Sequence, residues 1–133
     1  MKQEPKKSRV LIADANDRMR LMLRSTLSDL ESEFLEARGS EATLRAVREH
    51  QPDWVLLEVN LRPRGGLPLA GIIRQECPAA KVIMVTNCDE PEVRNSARQL
   101  GVFGYVLKDD LLEVRKLIQS ENRRARPARS DHA

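Results

Sequence analysis

The sequence has no long apolar run and only two cysteines, and each shortage excludes a class of protein. No apolar stretch approaches the roughly 20 residues that span a membrane. The basic N-terminus, residues 1–9, has no apolar segment of the kind that a signal peptide needs. We therefore expect a cytoplasmic protein with no membrane partner. Cys77 and Cys88 do not have the spacing of a metal site, and we expect them to be free thiols.

Aromatic residues are also scarce, at 3% of the chain. Loops with so few aromatic rings offer little for a flavin to stack on, so we exclude flavin binding. Gly65 and Gly66 are not followed by the Lys-Ser/Thr pair of a phosphate-binding loop. His50 and His132 have no cysteine or acid arranged with them for catalysis. We therefore expect a protein that is not an enzyme.

The formal net charge of +3 hides an uneven distribution. Residues 1–9 hold four Lys/Arg and one Glu, and residues 123–133 hold four Arg and one Asp. The 113 residues between them keep 15 basic and 18 acidic side chains, a net charge of −3. We expect a flexible basic N-terminus at 1–8, one domain at 9–121 and a flexible basic tail at 122–133. Such tails either attract nucleic acid or an acidic partner, or are solvated ends.

Apolar runs and helical periodicities alternate five times along the chain. The predicted strands are 9–13, 33–37, 53–59, 81–86 and 102–107, and the predicted helices are about 17–30, 41–50, 67–76, 91–100 and 111–121. Asn16 or Asp17 is expected to cap the first helix, and Ser40 the second. Strand–helix alternation with short connections predicts an α/β fold, a doubly wound parallel sheet with helices on both faces.

Polar side chains stand at the ends of four predicted strands. Glu58 follows the apolar run Trp54–Leu57, and an unpaired acid inside such a buried strand would cost several kcal/mol. Glu58 is therefore expected at the strand's carboxyl end, on the edge where α/β sheets bind ligands. Asp14, Thr86 and Lys108 end the first, fourth and fifth strands. Two carboxylates, a hydroxyl and an ammonium in one crevice suit a small anion or a hard cation, although each residue alone could simply be structural.

Four segments together resemble the receiver domain of two-component response regulators. They are Val-Leu-Ile-Ala-Asp (10–14), Pro-Asp-Trp-Val-Leu-Leu-Glu-Val-Asn (52–60), Val-Ile-Met-Val-Thr (82–86) and Gly-Tyr-Val-Leu-Lys-Asp (104–109). The resemblance implies a flavodoxin-like (βα)5 fold with strand order 2-1-3-4-5. It also implies that an aspartate after the third strand accepts phosphate from a histidine kinase, assisted by Mg²⁺. Thr86 and Lys108 would contact the phosphoryl oxygens, and Thr86 and Tyr105 would move together as the switch.

The sequence departs from this pattern where phosphate and metal would bind. Glu58 stands at the phospho-acceptor position, and Ala15 replaces the second acid of the metal pair. The extra methylene of glutamate moves the carboxylate by roughly a bond length, and a misplacement of about 1 Å can cost about 100-fold in rate. Mg²⁺ also loses an anionic ligand at Ala15. We expect no bound Mg²⁺; the alternative is a site made by Asp14, Glu58 and the backbone carbonyl of Asn60.

These departures predict a degenerate, stand-alone receiver that works by phosphorylation-independent protein–protein contact. The expected surface is the fourth helix, fifth strand and fifth helix, about residues 90–120, with a homodimer as one outcome. Glu58 either imitates a phosphorylated side chain or sits in a frozen pocket. The alternatives are a phospho-accepting receiver, or the receiver half of a helix-turn-helix DNA-binding regulator. Because no helix-turn-helix fits after residue 122, we expect no direct DNA binding by this chain.

Overall fold

A computed structural model describes residues 7–125, in which five strands and five helices alternate. The strands are β1 (Ser8–Ala13), β2 (Ser32–Ala37), β3 (Trp54–Leu57), β4 (Lys81–Thr86) and β5 (Gly104–Leu107). The helices are α1 (Asp17–Thr26), α2 (Ser40–His50), α3 (Gly66–Glu76), α4 (Pro91–Gln99) and α5 (Leu112–Ala125). All strand pairs are parallel and the order is β2-β1-β3-β4-β5, which confirms the predicted flavodoxin-like fold.

The sheet separates two apolar cores, because alternate residues of each strand face opposite helix layers. In β3, Trp54 and Leu56 face α1 and α5, and Val55 and Leu57 face α2, α3 and α4. All four are at most 2% exposed. A strand covered on both faces explains the unbroken apolar run in this part of the sequence.

The register of the central strands fixes where the polar residues meet. Ala13 pairs with Leu57 and Leu57 pairs with Met84, so β1 and β3 end level with each other and β4 runs two residues further, to Thr86. Thr86 pairs with Leu107 on β5. The residues that follow these strands therefore emerge on one edge of the sheet.

Several element boundaries differ from the sequence prediction. β3 and β5 are shorter than predicted, and α1 ends at Thr26, so Leu30 lies in the following turn. Asn16 caps α1 as predicted, since its side chain accepts a hydrogen bond from the Met19 N–H at 2.9 Å. The predicted Ser40 cap was wrong. Gly39 occupies the N-cap of α2, and the Ser40 hydroxyl instead accepts from the Arg64 N–H at 3.2 Å.

Helix α5 passes the predicted domain end at 121 and continues to Ala125. Arg123 and Arg124 lie in its last turn, where cations interact favourably with the helix dipole. The rest of the two predicted flexible segments, residues 1–6 and 126–133, lies outside the described residues. Within residues 7–125, no helix has the length and apolar character required to cross a membrane.

Candidate functional site

Lys108 lies between two carboxylates at the carboxyl edge of the sheet. Its Nζ is 2.7 Å from Asp14 Oδ2 and 2.5 Å from Glu58 Oε1. The three side chains are only 7–12% exposed, so water screens the charges poorly. The structure thus brings the strand-end residues Asp14, Glu58 and Lys108 together, as the shared edge of parallel strands predicts.

The second oxygen of Glu58 is bound from two other directions. Thr86, which is fully buried, donates its hydroxyl to Glu58 Oε2 at 2.5 Å. The backbone N–H of Asn60 donates to the same oxygen at 3.0 Å. Three donors, at or just after the ends of three strands, thus fix the carboxylate, and a charge-assisted bond of this kind is about twice as strong as a neutral one.

A close approach by α3 supports the backbone around Glu58. A Cβ added at Gly66 would collide with the Glu58 carbonyl oxygen and would lie 2.8 Å from Val59 Cα. The Gly66 N–H donates to the Val59 carbonyl at 2.6 Å. Only glycine allows this contact between the start of α3 and the loop after β3.

The pKa values of Glu58 and Lys108 both shift in the direction that favours the charged form of the side chain. Burial alone would raise the pKa of Glu58, but the bonds from Lys108, Thr86 and Asn60 outweigh it and lower the pKa below the ordinary 4.5. Burial alone would lower the pKa of Lys108, but the bonds to Asp14 and Glu58 raise it above 10.5. Both groups are therefore charged at neutral pH.

The Mg²⁺ site that the resemblance implies does not fit these residues. The Lys108 ammonium contacts both carboxylates and already supplies their counter-charge. Ala15 offers no side-chain ligand, and the backbone N–H of Asn60 donates to Glu58 Oε2, so that oxygen is already bonded. Among residues 7–125, no group of three or more His, Cys, Asp or Glu residues is placed to hold a metal ion.

Arg20 is a structural partner of the site that the sequence analysis missed. Its side chain is 7% exposed, and it donates to the Asp14 backbone carbonyl at 2.6 Å and to Glu36 Oε1 at 2.8 Å. Asp14 is held further by its own Oδ1, which accepts from the Asn16 N–H at 2.8 Å. The position of Arg20 three residues before the core residue Leu23 was a usable signal, because it places the arginine on the inward face of α1.

Tyr105 lies on β5, away from the three charged residues but linked to them through the β4–α4 loop. Its hydroxyl donates to the Cys88 carbonyl at 2.6 Å, and the Cys88 N–H donates to the Thr86 hydroxyl at 3.3 Å. Burial and the bond to Cys88 raise the pKa of Tyr105 to about 12. The predicted switch pair, Thr86 and Tyr105, is therefore joined through Cys88.

Comparisons with known proteins agree with this fold. The sequence model of the response regulator receiver domain matches residues 10–119. Response regulator GacA of Pseudomonas aeruginosa is 33% identical over 107 residues, which are 79% of this chain and 50% of that protein. Chemotaxis protein CheY of Halobacterium salinarum is 31% identical over 102 residues, which are 74% of this chain and 82% of that protein.

A solved structure has the same fold. A two-component response regulator of the LuxR family from Aurantimonas superposes with a TM-score of 0.80 and 25% identity, covering 87% of this chain and 85% of that one. The chain spans about half the length of the GacA relatives that it matches. With a family match over nearly all of the described residues, this chain belongs to the response regulator receiver domains of two-component signalling.

Proposed function

We propose that this receiver signals by protein–protein contact without being phosphorylated, and that Glu58 is a fixed replacement for the phosphorylated side chain. The observation that carries the proposal is the bonding of one carboxylate to both Thr86 and Lys108, at 2.5 Å each. In the receiver family these two residues contact the phosphoryl oxygens. The longer glutamate side chain brings its negative charge to them directly.

A continuous set of contacts leads from Glu58 to the expected output surface. Glu58 binds Thr86, Thr86 accepts from the Cys88 N–H, and the Cys88 carbonyl accepts from Tyr105. A ligand shifts a two-state switch only through a difference in its contacts with the two states. Glu58 provides such a difference permanently, because its charge engages the buried Thr86 hydroxyl that anchors this set of contacts.

The proposed partner surface comprises α4, β5 and α5 with the loops that join them, about residues 90–120. It carries two exposed large apolar side chains, Phe103 at 38% and Leu112 at 62% exposure. A second copy of the chain is one candidate partner, and sedimentation over a range of concentrations distinguishes a dimer from a monomer.

Incubation with acetyl phosphate and Mg²⁺, followed by intact-mass measurement, tests the proposal. We expect no added phosphate on the native protein, because the glutamate is misplaced for in-line transfer and Lys108 takes the place of the metal. The matched gain-of-function control is Ala15→Asp with Glu58→Asp, which restores both acids and is expected to gain the phosphate mass. A saturable mass gain on the native chain would overturn the proposal and favour a phospho-accepting receiver.

A second candidate is that this receiver works as one half of a longer DNA-binding regulator. It is favoured by several matched relatives of whose length this chain covers about half. They include a probable transcriptional regulatory protein, NarL of Mycobacterium tuberculosis, 29% identical over 108 residues. Intact mass of the protein isolated from its own cells tests it. A mass well above 15.1 kDa supports this candidate, and a mass of 15.1 kDa contradicts it.

A further inference from the structure

The ring of Tyr105 is held on two sides by one short segment. At the hydroxyl, the Cys88 carbonyl accepts its hydrogen bond at 2.6 Å. Over the ring lies the Arg94 guanidinium, with its central carbon 4.7 Å from the ring centroid. Cys88 and Arg94 flank the start of α4, so the loop and the first turns of this helix close around the tyrosine.

Arg94 is itself fixed by a neighbour of Cys88. Its Nε donates to Asp89 Oδ1 at 2.7 Å. The Asp89–Arg94 pair therefore connects the β4–α4 loop to α4. Both ends of this connection lie near Tyr105, since Cys88, next to Asp89, accepts its hydrogen bond and Arg94 lies over its ring. An arginine whose fork is already oriented by a carboxylate loses little further freedom when it stacks on an aromatic face.

We infer that Arg94, oriented by Asp89, is a positioning residue for Tyr105 that holds the ring where its hydroxyl reaches the Cys88 carbonyl. A guanidinium is attracted to the face of an aromatic ring within about 6 Å, and the observed distance lies inside that range. The ring also closes one wall of a cavity of about 220 Å³ between α4 and β5, which Arg94, Arg98 and Phe103 line as well. Movement of Tyr105 would therefore reshape this groove.

The consequence for signalling rests on the proposed function, because it assumes that α4 and β5 form the output surface. The contact between Arg94 and Tyr105 does not depend on that assumption. In that setting the switch has a second point of control outside the Glu58 pocket: a partner carboxylate that drew Arg94 away would free Tyr105 while leaving the Glu58–Lys108 pair intact.

The chain's single tyrosine makes the inference testable, since every tyrosine signal comes from residue 105. Phenolate absorbance is measured at pH 11 in the native protein, Arg94→Gln, Asp89→Asn and the control Arg98→Gln, with far-UV circular dichroism at the same pH. A phenol with a pKa of about 12 is about one-tenth ionised there, and one with an ordinary pKa of about 10 is about nine-tenths ionised. We expect the first value for the native protein and Arg98→Gln, and a several-fold rise for Arg94→Gln.

The direction of the change separates positioning from simple proximity. The positive charge of Arg94 favours the phenolate, so its loss over a ring that stayed in place would lower the ionised fraction. Release of the ring into water would raise that fraction. An unchanged or lower fraction in Arg94→Gln, or an equal rise in Arg98→Gln, would overturn the inference.

A second measurement covers variants that unfold at pH 11. The protein labelled with 3-fluorotyrosine gives one fluorine resonance at pH 7, and a dissolved gadolinium chelate broadens it in proportion to exposure. We expect greater broadening in Arg94→Gln and Asp89→Asn than in the native protein and Arg98→Gln, and equal broadening in all four contradicts the inference. Because no phosphoryl chemistry enters either measurement, failure here leaves the acetyl phosphate test unaffected.

Discussion

Removing the two charges at the centre of the pocket, singly and together, measures how strongly Glu58 and Lys108 depend on each other. The variants are Glu58→Gln, Lys108→Met and the double substitution. Subtracting the effects of the two single substitutions on the free energy of unfolding from that of the double substitution leaves the coupling energy between the two side chains. If Glu58 takes a phosphoryl group's place against Lys108, this coupling must be large.

The structure allows the size of the coupling to be worked out. At a separation of 2.5 Å and an effective dielectric constant of about 20, the Coulomb attraction is roughly 5–7 kcal/mol. Both side chains are 12% exposed, so desolvation offsets much of this attraction. Asp14 also remains beside Lys108 in Glu58→Gln and keeps part of the ammonium's stabilisation. We expect a coupling energy of about 2 kcal/mol.

Urea unfolding followed by the fluorescence of Trp54 gives the required free energies. Trp54 is the chain's only tryptophan and is 2% exposed, so its signal reports loss of the core. The matched control is the same cycle on Arg48 and Glu76, an exposed pair with two bonds of 2.8 and 2.9 Å. Solvent screening should leave that control coupling near zero. A coupling below about 0.5 kcal/mol for Glu58 and Lys108 would refute the reasoning.

Three other outcomes follow from the same structure. Gly66→Ala should destabilise the protein by about 1–3 kcal/mol in urea unfolding, because the added Cβ meets the Glu58 backbone. The control Gly71→Ala, whose Cβ would have its nearest contact at 3.4 Å, should change stability by less than about 1 kcal/mol. Asn16→Ala should cost about 1 kcal/mol through loss of the α1 cap; no loss would contradict that role. The stabilisation that Glu58 provides is complete above its unfolded pKa of about 4.5 and is lost as pH falls through its lowered folded pKa. Below pH 4.5 the free energy of unfolding should therefore fall less steeply with pH in Glu58→Gln than in the native protein. Equal slopes in the two proteins would contradict this.

Local pattern determined most of the fold. Four of the five strands are short apolar runs bounded by turn residues, and β2, with Glu33 and Glu36, is the exception. Strand–helix alternation then leaves few possible topologies. The same pattern placed Asp14, Glu58, Thr86 and Lys108 on one edge, because the carboxyl ends of parallel strands coincide. The end of α5 was not predictable in this way, since its last turn lacks the apolar periodicity that marks a helix.

The sequence by itself determined which residues meet at the carboxyl edge and that Glu58 and Ala15 depart from the receiver pattern. Only the tertiary structure decided what these residues do to each other. Lys108 contacts both carboxylates, and Arg94 lies over Tyr105, because helix packing and loop course set side-chain distances to within an ångström. Hydrogen bonds and ion pairs depend on that precision, and periodicity carries no such information.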